Sequence, residues 1–274
     1  MGFQLIDRIA VEEEGEGPAV VCVHGLGGSS NTYTPLMPAL ARHRVVRIDL
    51  PGSGRSQRAE GALSIERYVA SMLDVCDRLK VTRAHWVGHS MGTIVCQHIA
   101  AAHPKRVASV ALFGPLIAPP DAARAAMTAR AAKAREGAAG MQEITQALLQ
   151  GAISADTRQR LPVAVAYVRE SLMRQDGEAY ARSCEALAGA QAAAVEQIEA
   201  PVLLVTGDED GVAPPQAVRA ASGGVISGPN IARLATRLGC AAAMCCRTML
   251  PIEWPTQCAR STFSRSHTSS VVAT

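Results

Sequence analysis

Aromatic residues are scarce in this chain: two tryptophans, four tyrosines and three phenylalanines, 3% of 274 residues. Charge of one sign is scarce too, with 27 basic against 24 acidic residues and a formal charge of +3. No stripe of lysine and arginine interleaves with aromatics, so no nucleic-acid partner is expected. No run approaches eighteen apolar residues, so no membrane span is expected. The stretch Met1 to Arg8 lacks a basic start followed by an apolar segment, and the expectation is a cytoplasmic protein without a signal peptide. None of the eight cysteines forms C-x-x-C or stands at zinc spacing from a histidine, which argues against a metal site. Cys22, Cys76, Cys96 and Cys184 sit in apolar context and read as small buried hydrophobes. No phosphate-binding loop or dinucleotide fingerprint is present, and no cofactor is expected.

What the chain does have is 48% hydrophobic residues, enough for one large core. Phe3 to Val11 reads as a strand, and Ala19 to Val23 as a strand buried on both faces. Asn31 to Ala41 reads as a helix, Arg44 to Asp49 as a strand, and a further helix starts behind the N-cap Ser64. Short apolar strands follow at Ala84 to Val87 and Val107 to Phe113. Such alternation predicts an α/β fold with a mostly parallel sheet flanked by helices. Residues 114–198 are alanine-rich without a strand run, and Pro201 to Thr206 restores the buried-strand pattern. An insertion that long between two sheet strands reads as a helical lid. The expected division is a core of 1–113 and 199–274 with a lid at 114–198.

Gly88-His89-Ser90-Met91-Gly92 lies between an apolar strand and a helical run. Strand, sharp turn and helix, with serine at the apex and small residues on both sides, is the context of a nucleophile elbow. The turn lifts the hydroxyl out of the sheet at a helix N-terminus, where amides can steady developing negative charge. His24-Gly25-Leu26-Gly27-Gly28, Asp49 to Ser56 and Gly207 to Pro214 also follow strand ends, the edge where open α/β sheets bind ligands.

With these four motifs in this order, Ala19 to Pro215 resembles the α/β-hydrolase family, in particular its lid-bearing esterase and 3-oxoadipate enol-lactonase-like members. The resemblance implies an α/β-hydrolase fold with the lid inserted after the sixth strand. It implies Ser90 as nucleophile and the backbone amides of Leu26 and Met91 as oxyanion hole. It also implies Asp210 as triad acid, with Asp208 as competitor, and turn geometry rather than chemistry for Asp49 to Ser56. A small-molecule ester or lactone is the implied partner.

The family places its histidine base in a phrase like G-H-x-x-P-x-E-x-P. Here Arg247-Thr248-Met249-Leu250-Pro251-Ile252-Glu253-Trp254-Pro255 puts Thr248 where that histidine belongs, and His267 is the only histidine beyond Asp210. His24, His85, His89, His98 and His103 read as structural and His43 as a solvated loop residue. Residues 222–274 hold five arginines, four cysteines, no lysine and no aspartate, and no β-branched run appears before Thr248 although a last strand is needed there. Either the C-terminus diverged and the base is lost or moved to His267, or part of the segment is read out of frame, which is the preferred reading.

Three functions follow. The first is a serine hydrolase cleaving a carboxylic ester or lactone through an acyl-enzyme on Ser90. The second is a hydrolase of carbon–carbon bonds in ring-fission products. The third is a scaffold without turnover that binds a ligand. Leu148, Leu149, Leu161, Val163, Val165 and Leu172 suggest an apolar chamber, and Arg124, Arg130 or Arg135 could meet a substrate carboxylate.

Overall fold

The computed structural model describes residues 2–56, 60–207, 209–216 and 218, and the strand segments 231–236 and 271–272. Nine strands among these residues form one sheet in the order β1-β2-β4-β3-β5-β6-β7-β8-β9. The chain opens with a hairpin, β1 (Gly2–Ile6) against β2 (Ile9–Glu14), where a single strand was expected. Asp7 and Arg8 both adopt positive φ, 45° and 69°, as a two-residue hairpin turn needs. Neither is glycine, and so the break leaves little trace in the sequence.

From β4 (Arg44–Ile48) through β3 (Ala19–Val23), β5 (Ala84–His89), β6 (Val107–Phe113), β7 (Val202–Gly207) and β8 (Ile231–Thr236) every pairing is parallel. β9 (Val271–Val272) pairs antiparallel with β8. β8 falls inside the segment whose sequence showed no comparable β-branched run. Backbone pairing with β7, from Val202↔Ile231 to Gly207↔Thr236, holds a strand there without that composition.

The helix expected over Asn31 to Ala41 is present as a 3₁₀ helix, Ser30–Leu40, and it contains Pro35 and Pro38. Two missing N–H donors in eleven residues deny it a regular α-helical ladder. It is pinned instead by Tyr33, whose hydroxyl donates to the carbonyls of Val23 (2.7 Å) and Val87 (3.1 Å). Helix α1 (Ile65–Arg78) starts as expected, with Ser64 Oγ accepting from the Arg67 N–H at 3.2 Å. Alternating side chains send Trp86 into the core on one sheet face and Val87 into the smaller core on the other. Each such large side chain, fully buried, stabilises the fold by roughly 1.5–3 kcal/mol. The four described cysteines are buried and unpaired, and burial pushes the thiols of Cys22, Cys76 and Cys184 up to about 12.

Between β6 and β7 stand five α-helices: α3 (Asp121–Ala134), α4 (Ala138–Gly151), α5 (Ala155–Arg160), α6 (Pro162–Met173) and α7 (Gly177–Ala188). They share a small core of Ala131, Ala134, Met141, Ile144, Leu172, Tyr180, Ala181 and Cys184, against which Leu26 packs. Among the described residues no helix is long and apolar enough to cross a membrane.

Candidate active site

Ser90 stands between β5 and α2 (Met91–Ala102) with φ 50° and ψ −120°. No ordinary well for a non-glycine residue lies there, and holding it costs on the order of 1–3 kcal/mol. The surroundings enforce it by proximity. A β-carbon on Gly92 would lie 2.1 Å from the Val23 carbonyl oxygen, and one on Gly88 would lie 2.6 Å from the Gly92 oxygen. Only glycines let the elbow close this tightly. The Ser90 N–H donates to the Phe113 carbonyl (2.9 Å), and the Ser90 carbonyl accepts from the backbone N–H (2.8 Å) and hydroxyl (2.6 Å) of Thr93. Thr93 Oγ1 also accepts from the Leu116 N–H at 2.9 Å, while Gln97 donates to the Leu116 carbonyl at 2.6 Å. The elbow is thereby tied to the start of the helical insertion. Thr93 and Gln97 were not singled out from the sequence; both are buried polar residues on a helix face, a signal that periodicity alone does not expose.

Gly25 lies against the elbow: a β-carbon there would meet Ser90 Cβ at 2.8 Å and His89 Nδ1 at 3.2 Å. The turn after it closes through the Gly28 N–H to the Gly25 carbonyl (3.0 Å), with Gly27 at φ 72°, the position where a type II turn favours glycine. His24 is fully buried; its Nδ1 lies 2.8 Å from the same carbonyl, and its Nε2 accepts from the Leu50 N–H at 2.9 Å. Because Nε2 accepts, Nδ1 carries the proton. Burial holds the His24 pKa below its ordinary value despite the opposing pull of Asp49, so the ring is neutral at pH 7. With the Gly25 oxygen held twice, the Leu26 N–H on the far side of the same planar peptide points the other way. Met91 opens α2, where the first N–H groups have no acceptor within the helix.

Asp210 follows β7 and is buried. Its Oδ1 accepts from the N–H groups of Val212 and Ala213, both at 2.9 Å, and its Oδ2 lies 3.5 Å from Thr206 Oγ1. That Oδ2 is also 3.5 Å from where a β-carbon would stand on Gly114, the residue after the Phe113 that accepts from Ser90. Ser90 and Asp210 thus converge over the end of β6. His89 lies in the field of both Asp210 and His24. Burial pulls its pKa down to about 4, Asp210 opposes that pull, and His24 adds to it. Asp208, Thr248 and His267 lie outside the described residues, as do the phrase Met249 to Pro255 and most of 222–274. Among the described residues no group of three metal-ligating side chains gathers.

Asp49 to Ser56 is a turn built on a buried carboxylate. Asp49 accepts from the backbone N–H groups of Ser30 (2.6 Å) and Arg55 (2.9 Å) and from Arg55 Nε (3.0 Å). Burial alone would push its pKa up, but these bonds and nearby His24 outweigh it and hold the pKa below the ordinary value. His43, expected to be solvated, is half-buried and packs edge-on against the His85 ring at 6.3 Å.

In the insertion, Leu172 and the Tyr180 ring cover Gly27, at 2.5 and 3.1 Å from where its β-carbon would stand. Val163, expected in a chamber, is 72% exposed and faces solvent. Arg124 donates to the Ala188 and Ala190 carbonyls, and Arg135 pairs with Glu178 and Glu185. Arg130 lies beside Tyr180 and Cys184, 4.0 Å from the Met127 sulfur, and makes no ion pair among the described residues.

Residues 18–227 match the model of the alpha/beta hydrolase fold family. The chain belongs to that family. A pimeloyl-[acyl-carrier protein] methyl ester esterase from Methylococcus capsulatus is 39% identical over 104 residues, 38% of this chain and 39% of that protein. The chain's matches span less than half the length of such curated relatives. Among solved structures, an enol-lactonase from Burkholderia xenovorans is 28% identical, with a TM-score of 0.77 over 88% of this chain and 93% of that one. A thermophilic esterase from Thermogutta terrifontis superimposes with a TM-score of 0.80 at 21% identity, over 86% and 87% of the two chains, a likeness of fold.

Proposed function

We propose that this member of the family is a serine hydrolase that cleaves a carboxylic ester or lactone through an acyl-enzyme on Ser90. The observation that carries the reading is the elbow itself: a serine held at φ 50° by glycine contacts that admit no side chain. Ser90 Oγ attacks the acyl carbon while its proton passes to a base. The oxygen that becomes an oxyanion accepts from the Leu26 and Met91 N–H groups. Collapse expels the alkoxide, which takes up the proton, and water then releases the acid and frees Ser90. Asp210 is the acid that orients the base. His267 is the base in this reading, with Thr248 in the family's usual place for it.

The five α-helices between β6 and β7 act as the lid. Of the three arginines weighed for a substrate carboxylate, Arg124 is taken up by backbone carbonyls and Arg135 by glutamates, whereas Arg130 makes no ion pair among the described residues, which suits a substrate with an acidic end. The esterase and the enol-lactonase among the similar proteins support ester or lactone chemistry over carbon–carbon cleavage.

A fluorophosphonate probe tests the reading. We expect labelling at Ser90 that Ser90→Ala abolishes, together with p-nitrophenyl acetate turnover that His267→Ala lowers by about 10²-fold or more. Absence of labelling on folded protein would favour the binding scaffold. Turnover that survives His267→Ala unchanged would remove His267 from the mechanism.

A further inference from the structure

Gln175 follows α6 and lies in the short link to α7, 7% exposed. Its side-chain amide faces three segments at once. Nε2 donates to the Gly27 carbonyl at 3.2 Å, and the Gly28 carbonyl lies 3.4 Å away. The same nitrogen holds the Ser171 carbonyl at 2.9 Å, while Oε1 lies 3.4 Å from the Gly54 N–H in the Asp49 turn. One turn earlier on α6, Ser171 Oγ donates to the Gly27 carbonyl at 2.8 Å. The insertion thus grips two consecutive carbonyls of the turn that carries the Leu26 N–H.

The turn needs that grip. Three of its four residues from Gly25 to Gly28 are glycine, the residue with the most backbone freedom to lose. From the core side it is held at the Gly25 oxygen by His24, the same oxygen on which the Gly28 N–H closes the turn, and by Leu26 packing against the main core. The next peptides are held from the insertion. Leu172, between the two polar residues in sequence, and Tyr180 close over Gly27. Were α6 to lift off the sheet, Ser171, Leu172 and Gln175 would leave together, and Gly27 and Gly28 would lose their hydrogen-bonded hold while the Gly25 oxygen and Leu26 kept theirs.

We infer that Gln175, with Ser171, is a positioning residue that couples the seating of the helical insertion to the geometry of the Leu26 N–H, so that the oxyanion site is complete only when α6 is docked. The inference rests on the proposed role of Leu26 as an oxyanion donor. It makes the insertion a part of the catalytic geometry as well as a cover. An ester that seats α6 would assemble its own oxyanion site, and one that holds α6 away would bind without reacting.

The test uses the full chain and two readouts. Gln175→Met keeps the length and apolar packing of the side chain while removing its donors, and Ser171→Ala removes the second bond. By NMR hydrogen exchange, the Gly28 amide should exchange about tenfold faster in Gln175→Met, with the amides of β3 and β5 unchanged. On a p-nitrophenyl ester, kcat should fall by about tenfold with KM within about twofold, because a displaced donor is felt in the transition state more than in binding. Ser171→Ala should show a smaller change of the same kind. Unchanged exchange at Gly28, exchange that quickens equally across β3 and β5, or a loss confined to KM would each overturn the inference. If wild-type protein shows no turnover and no Ser90 labelling, the hydrolase reading fails, and the exchange experiment still decides whether Gln175 holds the turn.

Discussion

The sheet edge around Ser90 and the helical insertion above it are held by different physics. At the elbow, chain segments press on one another: Gly92 against the Val23 carbonyl and Gly25 against Ser90 Cβ, with the Tyr33 hydroxyl tying two strand ends together. Buried polar groups there are paired at fixed distances, as Asp210 and Asp49 are. The insertion is alanine-rich and packs a small core of its own, with much of its charge in exposed pairs such as Arg135 with Glu178 and Glu185. One region tolerates almost no change in volume. The other can change its exposed side chains at little cost, although its helices also meet closely in places: a β-carbon on Gly140 would lie 1.9 Å from the Lys133 carbonyl oxygen.

The largest expected effect lies where that contrast is sharpest. Gly92→Ala places a carbon 2.1 Å from the Val23 oxygen, a backbone atom that cannot rotate away. We expect a loss of about 3–5 kcal/mol or a failure to fold, read from urea unfolding. A loss below about 1 kcal/mol would show that the elbow relaxes far more easily than its contacts imply.

A second test asks how much of the elbow's stability depends on protonation. His89 faces Asp210 after β7 and His24 after β3, and burial lowers its pKa from 6.5 to about 4. An unfolded chain takes up the proton near pH 6.5 while the folded one resists it. Stability is therefore full above pH 6.5 and falls as pH drops toward 4, by about 2–3 kcal/mol from this group. In His89→Leu that share of the acid dependence disappears. Urea midpoints of both proteins at pH 7.5 and 4.5 decide it, and equal slopes between the two pH values would remove His89 as the cause.

The same contrast explains which features could be seen in the sequence. The elbow is local: strand, glycine, serine, glycine and helix are contiguous, and each residue type states its backbone requirement. Ser64 as a cap and the parallel strands were legible for the same reason. The Asp7-Arg8 hairpin turn was not, because no glycine marks it and Arg8, unlike Asp7, is not a residue that positive φ normally selects. Gln175 was illegible for a different reason. Its partners are backbone oxygens 147 and 148 residues away, and a main-chain acceptor has no residue type to read. Val163 and Leu172 look alike in sequence, yet one faces solvent and the other covers Gly27, since the apolar residues of α6, Val163, Val165 and Val168 among them, do not line one face and carry only a weak amphipathic pattern.

The smallest effect, and the finest measure of the contrast, compares two arginines that each meet glutamate. Arg47 on β4 is 2% exposed, pairs with Glu12 at 2.6 Å and donates to Thr34 Oγ1 at 3.1 Å. Arg135 caps α3 and meets two glutamates of α7 at 2.6 and 2.9 Å, yet its side chain is 39% exposed and theirs 46% and 52%. Water screens the second network, and its long side chains lose rotamer freedom in forming it. Arg135→Ala should therefore cost less than about 1 kcal/mol, a difference that shrinks further in 0.5 M salt (about a 4 Å screening length). Arg47→Ala empties a buried volume at the sheet and leaves the hydroxyl of exposed Thr34 to water, while Glu12 keeps Arg55 at 2.8 Å. That retained partner keeps the loss nearer 2–3 kcal/mol than the larger cost of an orphaned buried charge, with little dependence on salt. If the two variants lose equal stability and respond alike to salt, the ion pairs of the insertion are as tightly determined as those of the sheet.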